Sequence, residues 1–349
     1  MNKNIKVYLA GTGMMTAGGA NTPMTAAIVR AGLNRYQESS YYNKDRKPMK
    51  MACVPEEALP PLNKKLLSVP GFTPRYQHVV RLSDLPLKEC LSIYTSDEPV
   101  PLFLALSESL PNSAEKIPAS LLDCLILQSG VKIDRRNSRL LATGRAGGLQ
   151  AIDIAFKYFQ ATGKGFALIG GVDTCKFNLQ RLSNLDREDR ILAEGVMDGF
   201  APGEAAGFLL LVSEEAQAKY RLPSHLTVYQ SGFGTEAGHR YSNEPYKGDG
   251  LAEAFQNAIA QRPHVPIDVI YSSMNGENHW AKEYGVAMTR NNNVFADNIK
   301  LEHPADCIGD IGAAFGPVLL GIMSKNITGT GLAYCSSDGL YRSAVCVEK

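Results

Sequence analysis

Acyl transfer and hydrolysis need a nucleophile within reach of a base, so the seven cysteines and six histidines of the 349-residue chain are the first residues to weigh. Cys175 follows Asp173 by two residues, but no histidine is close in sequence, and it reads as a buried structural thiol. His239 and His279 could join Glu277 or Glu283 in an acid–base set. Surface or capping roles are the simpler reading, with Trp280 beside His279 serving packing. His303, Asp306 and Asp310 do not have a metal-ligand spacing, and Cys53, Cys90, Cys124, Cys175, Cys307, Cys335 and Cys346 contain no CxxC pair. No metal and no other cofactor is expected. Gly11-Thr12-Gly13 lacks the spacing of a dinucleotide-binding GxGxxG and is expected to form a tight turn.

Composition narrows the partners. A net charge of +1, without blocks of like charge, argues against nucleic acid or an anionic membrane as the binding surface. The longest largely apolar run, from Ile311 to Met323, is about 13 residues and too short to span a bilayer. The opening Met1-Asn2-Lys3-Asn4-Ile5-Lys6 leads directly into Val7-Tyr8-Leu9-Ala10 without a signal-peptide hydrophobic region. Scattered reduced thiols then fit a cytoplasmic protein.

The elements that must position any site read as alternating strands and helices. Strands are expected at Lys6–Gly11, Leu121–Leu127, Ser138–Ala142, Phe166–Gly170, Phe208–Val212, Leu226–Gln230 and Val269–Ser272. Helices are expected at Pro23–Ala31, Arg145–Phe159 and Gly250–Ala260, with another after Asp310; Leu149, Ile152, Phe156 and Phe159 mark one apolar face. The stretch from Leu33 to Leu87 holds seven prolines and is expected to be loops and short elements with little sheet. The polar segment Ser213–Ser224 marks a boundary, giving halves 1–215 (with an irregular Pro-rich insertion at about 33–95) and 216–349. This alternation implies α/β layers with buried parallel strands.

Several segments together resemble the thiolase superfamily, specifically β-ketoacyl synthases. Asp198-Gly199-Phe200-Ala201-Pro202-Gly203-Glu204-Ala205-Ala206-Gly207 is similar to the family's DGFVPGEGAG turn. Arg145-Ala146-Gly147-Gly148-Leu149-Gln150-Ala151-Ile152, followed by Gly170-Gly171-Val172-Asp173, resembles the nucleophile helix and the strand after it. Gly309-Asp310-Ile311-Gly312-Ala313-Ala314 resembles the GHTLGAAG segment, and Val7–Gly13 the opening strand and turn. The resemblance implies a five-layered αβαβα fold of two similar halves, a dimer paired through a central strand, and an acyl-transfer pocket of one cysteine and two histidines. Here Arg145 stands at the cysteine position, Asn275 or its neighbour Met274 at the first histidine, Asp310 at the second, and Ala305 near the family's lysine.

Arginine stays protonated and offers only N–H donors, so Arg145 cannot be the nucleophile. A cation at a helix N-terminus also calls for an anion nearby. Arg145 is therefore expected to pair with Asp310, bridged by Asn275, and to fill the pocket; the alternative is that Arg145 binds a carboxylate or phosphate from a ligand or partner. Asp198, Gly199, Phe200, Pro202, Gly203 and Glu204 are expected to fix the turn by hydrogen bonding. Two functions follow from the resemblance. The first is a non-catalytic scaffold for a protein partner such as a type VI secretion adaptor or effector, since thiolase-like proteins of such clusters look similar around Cys307–Ala314. The second is a chain-length-factor-like subunit pairing with an active ketosynthase. An acyltransferase with relocated catalytic residues is the third reading.

Overall fold

The computed structural model describes residues 5–110 and 116–349. In the first half the elements run β1 (Val7–Thr16), α1 (Thr22–Arg30), β2 (Gln37–Tyr42), β3 (Pro48–Met51), α2 (Pro74–Leu91), β4 (Leu102–Ala105), α3 (Leu121–Ser129), β5 (Arg139–Leu141), α4 (Gly147–Thr162), β6 (Phe166–Thr174), α5 (Leu179–Arg187) and β7 (Glu204–Ser213). After α6 (Glu214–Tyr220) and β8 (Leu226–Val228) come β9 (Gly232–Thr235), α7 (Asp249–Ile259), β10 (Ile267–Ser272), α8 (Asn278–Arg290), β11 (Phe295–Glu302), α9 (Ala305–Ile308), α10 (Phe315–Asn326), β12 (Thr330–Ser336) and β13 (Tyr341–Glu348).

Strand pairing reveals a repeat that the sequence hides. In the first half the order is β5-β4-β6-β7-β1, with β5, β4 and β6 parallel and β7 and β1 antiparallel to their neighbours. In the second it is β11-β10-β12-β13-β9 with the same senses. Taken in chain order, each half reads third, second, fourth, fifth, first. The short β8 pairs with both β1 and β13 and joins the halves edge to edge.

The helices repeat as well. Helices α2 and α3 pack with the first sheet around Val79, Val80, Leu87, Leu104, Leu121 and Leu210. Helix α7 covers the second sheet around Leu251, Phe255, Ile270, Leu332 and Tyr334. Helices α4 and α10 lie between the sheets, in a core of Leu149, Ile152, Phe156, Val318, Leu319 and Ile322 with strand residues from both halves. Each half gives that middle layer the helix preceding its fourth strand.

Three sequence expectations are corrected. Leu121–Leu127 is not a strand but the start of α3, which ends at Gly130 in the left-handed conformation. A short apolar run has no decisive period, and the helix-closing glycine was the signal to use. The proline-rich stretch contains the 18-residue α2. Thr73 caps its start, Pro74 sits in the first turn where a proline costs no hydrogen bond, and Tyr76, Val79, Val80, Leu87 and Cys90 form its buried stripe. Gly11 and Gly13 lie within β1 rather than in a turn. They are small because α2 crosses directly over them: a Cβ on Gly13 would stand 2.0 Å from the Pro86 carbonyl oxygen. Gly13→Ala is expected to lower stability by about 1–3 kcal/mol through this overpacking, read from a urea unfolding midpoint.

Candidate functional site

The middle layer brings the two halves' helix starts together. A Cβ on Gly148 would lie 2.4 Å from Pro317 Cδ and one on Gly316 2.8 Å from Gly148, so the first turns of α4 and α10 cross at glycine contact distance. The turns feeding these helices, Thr143–Ala146 and Gly309–Ala314, therefore face each other. The Asp198–Glu204 segment pins the second turn: the amide of Asp310 donates to the Ala201 carbonyl at 2.8 Å, and that of Gly203 to the Asp310 carbonyl at 2.8 Å.

At this crossing lies a buried ion network. Arg145, 4% exposed, donates through Nε to both Asp310 carboxylate oxygens at 3.1 Å, through Nη2 to Asp310 Oδ2, and through Nη1 to Asp338 Oδ1 at 3.1 Å. Asn275 Nδ2 bridges Asp310 at 2.8 Å and Glu277 at 3.0 Å. Arg190 holds Glu277 at 2.8 and 3.0 Å and Asp338 at 3.0 Å, and Arg240 adds a further bond to Glu277 at 2.8 Å. The Trp280 indole donates to Glu277 at 3.1 Å and lies 5.3 Å from the Arg145 guanidinium carbon. Three guanidiniums thus face three carboxylates, and the cluster is neutral as a unit.

The charges reinforce one another. Burial alone would push the Asp338 carboxyl up, but Arg190 and Arg145 hold it well below its ordinary range. Burial would likewise ease a proton off Arg145, yet Asp310 and Asp338 hold the guanidinium charged. The amide at the start of the helix is taken as well: Ala146 N–H donates to Ser337 Oγ at 3.0 Å, and Ser337 in turn donates to the Thr143 carbonyl. This set holds no thiolate and no free base; it can neutralise charge and lock two turns together.

Of the residues singled out in the sequence, Arg145, Asn275 and Asp310 meet in one cluster. Ala305 does not join it; its carbonyl accepts from the Tyr36 hydroxyl and from Gly309 N–H. In the Asp198–Glu204 turn, Asp198 Oδ1 accepts from Asn278 N–H at 2.8 Å, and Glu204 binds Val54 N–H, Thr174 Oγ1 and His78 Nε2 at 2.8, 2.7 and 2.8 Å. Phe200 is buried, with Gly199 and Pro202 completing the bend. The partners missed by sequence reasoning are Asp338, Arg190 and Arg240. Charge counting was the available signal, since an arginine buried against one aspartate and an asparagine leaves donors to fill.

Glu277 is occupied by arginines, and Glu283 pairs with Arg342 and Ser336. His279 stacks on Tyr246 at 4.3 Å, and burial with the nearby Arg240 and Arg342 charges pushes it down to about 4. Cys175 is buried, and burial raises its thiol. Among the described residues no group of histidines, cysteines and carboxylates could hold a metal ion, and no helix is long and apolar enough to cross a membrane.

No protein-family model and no curated protein matches this sequence. Solved structures do. The ishigamide ketosynthase/chain length factor superposes with a TM-score of 0.76 over 99% of both chains at 15% identity. The ketosynthase ApeO in complex with its chain length factor ApeC, from Xenorhabdus doucetiae, gives 0.74 over 99% of this chain and 98% of that one, also at 15%. The AntDE:AntF complex, a type II PKS acyl-carrier protein with its ketosynthase, gives 0.77 over 99% and 100% at 12%. These similarities establish the fold: it is the thiolase-like α/β fold of the ketosynthases, in which both repeated halves are present.

Proposed function

We propose that this chain is a non-catalytic thiolase-fold subunit that works through a protein partner, the partner being an active ketosynthase. The observation that carries the reading is Arg145. At the position the resemblance gives to the nucleophile stands a buried cation saturated by Asp310 and Asp338, with the adjacent helix amide closed by Ser337. A chain so arranged keeps the scaffold of a condensing enzyme without its chemistry. Two of the solved neighbours are named for a ketosynthase with a chain length factor, which favours that partner class. Among the described residues, strand β5, Arg139–Leu141, ends the sheet and pairs with β4 alone, leaving backbone groups for a partner strand.

The test is affinity capture of the tagged protein from its native cells, followed by sizing of the co-purified complex against the isolated chain. A stoichiometric complex with a ketosynthase, together with no condensing activity of this chain alone, is the expected result. Recovery of secretion adaptors or effectors instead would replace the ketosynthase by the partner class that the Cys307–Ala314 resemblance suggests. Condensing activity by the isolated chain would overturn the non-catalytic reading altogether.

A further inference from the structure

Beside the ion network, at Asp338, a cavity of about 250 Å³ is lined by residues that include Ser107, Glu108, Ala142, Leu185, Tyr241 and Asp338. It has the volume of roughly eight waters. Its charges are unevenly engaged. Asp338 is bound by Arg145 and Arg190, and Arg181, on the same wall, is bound to Asp173 at 3.2 Å. Glu108 differs: Gly339 N–H at 3.0 Å is its hydrogen-bond donor, and no cation lies within ion-pair distance of it among the described residues. From these groups we infer that the cavity is a binding site for a small organic cation, a primary amine on a short apolar body, with the ammonium on Glu108 and the chain against Ala142 and Leu185.

The inference is independent of the partner reading. A half-buried carboxyl without a cation is costly in its charged form, and an ammonium brought to it supplies both a charge and three donors. Burial and Asp338 push the Glu108 carboxyl up to about 7, while Arg145, the Gly339 amide and Arg342 act in the opposite direction. Lys116, Glu188 and Arg75, the last bound to Asp173 at 3.1 Å, also line the cavity. An ammonium therefore meets the ionised form fully only above neutrality, and its affinity should rise with pH through that value. An anionic ligand would show the reverse.

The experiment is an NMR titration of the full chain with hexylammonium, hexanol and hexanoate, which share a body and differ in head group. Hexylammonium should bind on the order of tenfold or more tightly than hexanol, with hexanoate weakest, the gain being that of one charge-assisted contact. Its affinity should fall between pH 8 and pH 5.5, and Glu108→Gln should remove the advantage over hexanol while leaving hexanol binding unchanged. Ala142→Phe, which fills the cavity, should abolish binding of all three. Hexanoate binding as tightly as hexylammonium, an undiminished amine preference in Glu108→Gln, or retained binding in folded Ala142→Phe would each overturn the assignment. Because the head-group comparison is made on the unmutated chain, it decides the matter even if a variant fails to fold.

Discussion

Replacing Arg145 by methionine should lower the unfolding free energy by about 3–5 kcal/mol, the usual cost of removing one partner from a buried ion pair. The loss follows from what remains. Asp310 would keep Asn275 and the Gly312 amide, and Asp338 would keep Arg190, but the cluster would hold two cations against three carboxylates in a water-poor interior. A urea titration would show a lower midpoint at unchanged slope if the native state is otherwise retained. The double change Arg145→Met with Asp310→Leu should recover part of the loss, because removing both charges removes the desolvation cost along with the attraction. A charge reversal to Arg145→Glu would set four carboxylates together, and a stably folded protein carrying it would refute the pairing as the organising contact of the site. If instead Arg145→Met costs less than about 1 kcal/mol, the pair behaves like an exposed surface bridge and the plug has no structural weight.

How much of this was legible beforehand depends on the range over which each residue acts. The α4 helix was readable because Leu149, Ile152, Phe156 and Phe159 repeat at the helical period and are buried on one face. Strands β6 and β7 were readable as apolar runs buried on both faces. The α2 helix was hidden by prolines, although Pro74 is at a permitted position and only Pro86 lies inside. Its strongest evidence was non-local: the glycines of β1 are small because the helix passes over them. At the site, Arg145 and Asp310 were singled out through segments that resemble a known pattern, with Asn275 between them. Arg190 and Asp338 were not. They come from a loop before β7 and from the β12–β13 turn, and only the fold brings them within 3.0 Å of each other.

The same separation of local and non-local information explains why the Asp198–Glu204 turn is recognisable while its purpose is not obvious from spacing. Glu204 is 1% exposed and ties together four segments: the Val54 loop, His78 on α2, Thr174 at the end of β6 and its own strand β7. Lys176 approaches at 3.6 Å. Burial would raise this carboxyl, but the His78 hydrogen bond and charge, with Lys176 and Thr174, outweigh it and hold Glu204 below its ordinary range. Glu204→Ala should therefore cost about 3–5 kcal/mol, because it orphans a buried amide, a hydroxyl and the His78 ring nitrogen and leaves Lys176 without its anion. Glu204→Gln, which keeps an acceptor for Val54 N–H, should cost roughly half as much. The two effects separate geometry from charge by their pH dependence. A carboxyl depressed in the folded state stabilises above its unfolded pKa of about 4.3 and loses that contribution as pH falls through the folded value. The advantage of the wild type over Glu204→Gln should thus shrink as pH falls below about 4. An advantage that stays flat to pH 3 would mean that the carboxylate's charge contributes nothing, and that the turn is held by packing of Phe200 and the backbone bonds to Asp310 alone.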